Sequence, residues 1–156
     1  MATQKDVTDY LNENSGILDR HMHWHMVRHT GTEFLFFHRD IISGFEKWLK
    51  KKNKKSLQAW IPQPKYIEAI FRKRFIEDRN LLKQSKIKLQ QKFSNKNELG
   101  AFIQGGIHVR VHNSFRPKAE GGNGLDLVFA SLRSPISLHF WTWHKWINMV
   151  WHKSDL

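Results

Sequence analysis

TGTEFLFFHRDIISGFEKWLKKK, residues 30–52, places apolar side chains at Phe34, Phe37, Ile41, Ile42, Phe45, Trp48 and Leu49. Steps of three and four put them on one stripe of a helix, predicted over 33–52. Thr30 and Glu33 have capping-box spacing, which supplies the start signal. Working upstream, the spacing predicts a helix over 16–28. Downstream, Pro62 and Pro64 punctuate the loop after Trp60, and a long basic helix over 65–93 follows, with Pro64 just before its first turn. A further helix should contain His108 and His112. A loop bearing Asn113, Pro117 and Gly121–Gly124 then leads to a last helix over 137–153. β-rich runs are scarce. The fold class is all-α, most simply a bundle with its site between facing helices.

The 156 residues suit one domain. Ten His accompany no Cys, so disulfides, thiolate zinc sites and cysteine nucleophiles are excluded. Any metal must be held by imidazole and carboxylate. Residues 1–10 are polar with no secretion signal, and no run of about 18 apolar residues offers a membrane span. The expected location is the cytoplasm. The net charge of +12 is concentrated: residues 47–96 hold 16 Lys and Arg against three acids, the remainder 10 against 11. Such a segment is either a solvated lysine-rich face or a docking face for something acidic.

Two halves of the chain each offer spaced histidines: His21, His23, His25, His29 and His38 in the first, His108, His112 and His144 in the second. His108 and His112, four apart on a helix, project from one face. A third imidazole from another helix completes a three-nitrogen cap, a set that suits copper and leaves positions open. A two-electron reduction of dioxygen needs two one-electron metals. Two caps facing each other at about 3.5–4 Å would meet that need.

These residues resemble a known family. His29, the nine-residue step to His38, Arg39 and the Phe45-Glu46 pair look like the first copper motif of the tyrosinases, the type 3 copper proteins. His108-x-x-x-His112, Gly121-Gly122, Ser134-Pro135 and the helix with His144 and Trp151 resemble the second. The resemblance covers about 17–52 and 105–152, with 53–104 as a basic connection. It implies a four-helix bundle core with two helices holding each of two copper ions. Carried over by position, His29 and His38 bind the first copper, and His108, His112 and His144 the second. The remaining ligand is taken as His23, whose six-residue step to His29 is similar to that of compact bacterial relatives. His21 and His25, which continue a row of fours ending at His29, are the alternatives.

Other roles follow from the same likeness. Glu98, ten residues before His108, is the candidate catalytic acid that would hold a water; a helix cap is the competing role. Val109 and Asn113 occupy substrate-shaping positions, Val109 standing where phenol-hydroxylating members have Asn. Arg39 and Glu46, seven apart on one face, read equally as an ion pair or as anchors around the ligands. Asn148 replaces a usual Asp, and Trp143 the first of a usual pair of histidines. The implied activity is dioxygen-dependent oxidation of an o-diphenol or o-aminophenol, with monophenol hydroxylation as a further capacity. The substrate is a small aromatic or a residue in a peptide or on an acidic carrier protein. Two other classes share features: a dioxygen or copper carrier, and a basic nucleic-acid-binding protein. Against the last, the basic segment lacks interleaved aromatics.

Overall fold

The computed structural model describes residues 1–60 and 85–156. Its helices are α1 Gln4–Glu13, α2 Gly16–His25, α3 Gly31–Lys51, α4 Lys86–Lys92, α5 Lys96–Ile103, α6 Val109–Asn113 and α7 Leu138–Ser154. A π-helical turn, Gln104–His108, joins α5 to α6, and single 3₁₀ turns stand at Lys118–Glu120 and Ser134–Ile136. No strand occurs among the described residues, so the chain is all-α there. Nor is any described helix long and apolar enough to cross a membrane.

α3 is the axis. Its capping box is in place: Thr30 Oγ1 accepts from Glu33 N at 3.2 Å, and Glu33 Oε2 accepts from Thr30 N at 2.6 Å. The expected stripe is buried except Phe37, which is partly covered, and Leu35 and Gly31 are buried as well. The wider burial arises because α3 is packed by α5 and α7, with α1 adding a smaller contact. At the α3–α5 crossing the backbones touch: a Cβ on Gly31 would fall 2.1 Å from Asn97 O, and one on Gly100 would fall 2.0 Å from Gly31 O. Only glycine fits on both sides of that contact. The crossing sets how far His38 stands from His108.

α1 has no counterpart in the predicted elements. Thr3 and Asp6 form its capping box, and Val7 and Tyr10 enter the core. α2 stops at His25, three residues short of the predicted end. Beyond it the Trp24 carbonyl is taken by the His29 ring (Nε2 donating, 2.7 Å), which satisfies an acceptor that a helix end leaves open. The basic helix expected over 65–93 lies outside the described residues as far as 84; beyond them Ser85 is extended and caps α4 as a separate short helix, so one continuous helix does not run through residue 85. Part of the basic charge is neutralised locally, Lys52 pairing with Glu13 at 2.9 Å and Lys54 with Asp6 at 3.4 Å.

Aromatic packing holds α7 in place. Trp141 and Trp143 are fully buried, and the Trp141 indole donates to Pro135 O at 2.9 Å. Burial of each such side chain contributes about 2–3 kcal/mol.

Candidate metal centre

Two helix–helix pairs deliver imidazoles to one interior region. On α2, His21 and His25 are four apart, and α3 adds His38. The ring centroids lie 4.5 Å apart for His21–His25, 5.3 Å for His25–His38 and 5.8 Å for His21–His38. On the other side, His108 closes the π turn, His112 lies on α6 and His144 on α7. Their centroids are 4.7 Å apart for His108–His112, 5.1 Å for His108–His144 and 5.5 Å for His112–His144. Each triad is therefore a His-x-x-x-His pair on one helix plus a single histidine from the next. The triads meet: the His38 and His144 rings stack at 4.6 Å and 12°.

The nitrogens that converge are defined by what the other nitrogen does. Nδ1 of His38 donates to Phe34 O (2.9 Å), Nδ1 of His144 to Phe140 O (2.8 Å), Nδ1 of His112 to Phe129 O (2.7 Å) and Nδ1 of His21 to Leu132 O (3.1 Å). Those four bonds place the proton on Nδ1 and leave the lone pair on Nε2. His25 Nε2 comes within 3.3 Å of His38 Nε2, and His108 Nε2 within 3.2 Å of His144 Nε2. Among the described residues, His21 Nε2 is buried with no partner, as is His108 Nδ1. Two sets of three ligand nitrogens, His21/His25/His38 and His38/His108/His144, each fall within 4.8 Å of one another.

Burial is the chief electrostatic force on the cluster. Desolvation lowers His21 to about 3, and His25 and His112 to about 4, and holds His38, His108 and His144 well below the ordinary imidazole value. Neighbouring imidazoles push the same way, because one protonated ring disfavours the next. At neutral pH all six are uncharged bases.

In the first group the structure brings together other histidines than those expected. His23 is exposed and turned away from the cluster. His29 lies outside it, stacked on Trp24 at 3.8 Å and 3°, with Nδ1 3.6 Å from Glu33 Oε2. The cause is the early end of α2: with the helix closed at His25, His29 is carried on an extended link and caps rather than projects. His21 and His25 stand beside His38 instead.

The supporting residues also divide. Arg39 and Glu46 do not pair with each other. The Arg39 guanidinium lies 3.2 Å over the Trp151 ring, and Glu46 binds Lys145, so both tie α3 to α7 beside His38 and His144. Asn148 is half-buried one turn after His144. Glu98 is exposed at the start of α5, where its carboxylate accepts from Ser94 N at 2.7 Å; it caps that helix and does not reach the cluster. Val109 and Asn113 do reach it, lining a cleft of about 380 Å³ whose walls include His21, His25, His108 and His112.

Sequence reasoning missed the loop between α6 and α7. Its carbonyls at Phe129 and Leu132 orient one histidine in each triad. Asp126 pins the loop to the start of α7, accepting from Phe129 N (3.1 Å), Ser137 Oγ (2.5 Å) and His139 Nδ1 (2.8 Å). A backbone acceptor has no residue signature, though Asp126 with Ser137 and His139 was a visible polar group. The π turn before His108 was likewise hidden, apart from the Gly105-Gly106 pair at its kink, where Gly106 has φ −110° and ψ −108°. Such turns are frequent at functional sites.

No protein-family model, curated protein or solved structure matches this chain.

Proposed function

We propose that the chain is a type 3 copper oxidase of the tyrosinase kind, which uses dioxygen to oxidise an o-diphenol or o-aminophenol. Its four-helix centre has α2 and α3 holding one copper through His21, His25 and His38. The π turn and α6, with α7, hold the other through His108, His112 and His144. The observation that carries this reading is six neutral imidazoles gathered in two like-built triads, five of them (all but His112) with ligand nitrogens in groups spanning no more than 4.8 Å, and four tethered at Nδ1.

The donors fit copper. His21 Nε2 is a buried lone pair with no partner, the kind of atom a metal takes up. Neither group of ligand nitrogens includes a carboxylate among the described residues. Imidazole-only caps suit copper, whereas helix-bundle di-iron sites are built on glutamates. When bound, the copper pair supplies the redox chemistry, passing electrons from the aromatic substrate to dioxygen.

The protein supplies the setting. The Nδ1–H bonds to carbonyls fix each tautomer and raise the basicity of the free nitrogen. Desolvation keeps the rings uncharged, so metal binding at neutral pH displaces no proton from them. Phe34, 4.6 Å from the His38 ring and 4.8 Å from His108, and Phe140, 4.1 Å from His144, close the inner side against water. The cleft leaves the outer side open to a flat ring passing Val109 and Asn113. Val109 has no amide to help hold a deprotonating water, so oxidation of a diphenol is favoured over hydroxylation of a monophenol. Lys50, Lys51 and Lys55 remain exposed as a basic face for an acidic carrier.

Copper per chain, measured together with oxygen uptake on catechol, an aminophenol and tyrosine, tests the proposal. Two coppers and catechol turnover, with about two diphenols consumed per dioxygen, are expected. Fewer than two coppers at saturation sinks the dinuclear reading. Two coppers with reversible dioxygen binding and no turnover makes the protein a carrier.

A further inference from the structure

We propose that the rim of the cleft docks on an anionic lipid surface, the aliphatic side chains of its 125–132 loop entering the bilayer and the cations around them meeting the headgroups. The docking stands apart from the oxidase reading; only its consequence for substrates rests on that reading.

Ten large hydrophobic side chains are exposed among the described residues, and seven of them belong to three segments that border the cleft. Met26 and Val27 directly follow His25, which lines it, and Val109 and Leu132 line it themselves. Leu125, Leu127 and Val128 belong to the loop that ends at Leu132. Met26, Val27, Leu125 and Leu127 are each more than half exposed. The loop is held across both triads, since its carbonyls at Leu132 and Phe129 accept from His21 and His112. Asp126 turns inward to Ser137 and His139, which leaves the leucines on either side of it in water. Aliphatic groups clustered in this way mark a contact surface.

Charge decides what covers it. Arg28, Arg116, Lys118 and Arg133 stand exposed in 26–28 and 109–133, where Glu120 is the one exposed acid. A second copy related by a two-fold axis would set this positive rim against itself. An anionic bilayer offers the complement, headgroup phosphates for the cations and hydrocarbon for the leucines. It also puts the mouth of the cleft at the lipid boundary. The favoured substrates are then diphenols dissolved in the membrane, rings that carry an alkyl chain.

The chain has no cysteine, so single introduced cysteines can report on each face. In metal-free protein, Leu127→Cys carrying an environment-sensitive fluorophore should brighten and shift to the blue on vesicles containing phosphatidylglycerol. The same label on Lys50→Cys, about 18 Å along α3 from His38, should not. Unlabelled protein should sediment with those vesicles roughly tenfold more tightly than with phosphatidylcholine alone. Leu125→Ser with Leu127→Ser, or Lys118→Gln with Arg133→Gln, should each cost about tenfold in that binding. Lys50→Gln with Lys51→Gln and Lys55→Gln should keep it within about twofold. In copper-loaded protein the leucine pair should slow oxidation of a long-chain alkylcatechol held in the vesicles by about fivefold or more, and leave dissolved catechol unchanged. Three results overturn the proposal: a Leu127 label that stays in water, binding that survives both rim variants, or a chain that ignores vesicles and dimerises through the rim. Absence of catechol turnover in the unaltered protein is a different failure and strikes the oxidase reading alone.

Discussion

The two triads are built to the same plan and reveal themselves differently. In each, a helix carries His-x-x-x-His and a neighbouring helix adds one histidine. In the second, His108 and His112 have no competitors within reach, and the plan is plain. In the first, four histidines crowd residues 21–29, and spacing alone admits several triples. What separates them is where α2 ends. A helix continued to residue 28 would put His21, His25 and His29 on one face; the observed end at His25 leaves His29 to cap the Trp24 carbonyl.

The largest effect should come from breaking that assignment. His25→Ala is expected to lower copper from two per chain to one and to cut catechol turnover by more than about a hundredfold, since a two-metal reaction loses one metal. His29→Ala should keep both coppers and cost about 1–2 kcal/mol in unfolding, from the lost hydrogen bond and stacking. Copper analysis of the two variants side by side decides the matter. If His29→Ala loses the metal and His25→Ala keeps it, the first triad is drawn wrongly.

An intermediate effect concerns what the triads share, burial without charge. In metal-free protein His21, His25 and His112 bind protons at about 3, 4 and 4 when folded and near 6.5 when unfolded. The unfolded chain thus takes up protons first as the pH falls. Stability should be full above about pH 6.5 and decline steadily toward pH 4, by up to about 1.4 kcal/mol per pH unit for each of these groups. Urea unfolding at pH 7 and pH 5 measures it. A flat profile would mean that the imidazoles are solvated.

The smallest effect separates Glu98 from the site. Glu98→Ala should destabilise by about 0.5–1 kcal/mol through the α5 cap and leave copper and turnover alone. A loss of activity exceeding the loss of fold would return Glu98 to the chemistry.

Much of this architecture was readable beforehand because local rules govern it. Thr30 and Glu33 announced the start of α3, the Phe34-to-Leu49 stripe its buried face, and Ser137 the start of α7. His108 and His112 could be paired by helical spacing, whereas His38 and His144 were chosen by their likeness to the copper motifs. Arg39 and Glu46 read equally as an ion pair with each other or as anchors, and their actual partners were not visible. Trp151 and Lys145 are more than 90 residues away in sequence, and no local pattern encodes such a distance.

By itself the sequence determined that the described chain is helical, that any metal would meet imidazole or carboxylate and no thiolate, and which residues could share a helical face. Those properties depend on side-chain chemistry and on contacts within one or two turns. Tertiary structure alone decided which imidazoles meet. The end of α2, the Gly31–Gly100 contact, the π turn before His108 and the carbonyls of Phe129 and Leu132 set the positions of the six rings. Each is a relation between backbones, and backbone atoms are the same whatever the residue.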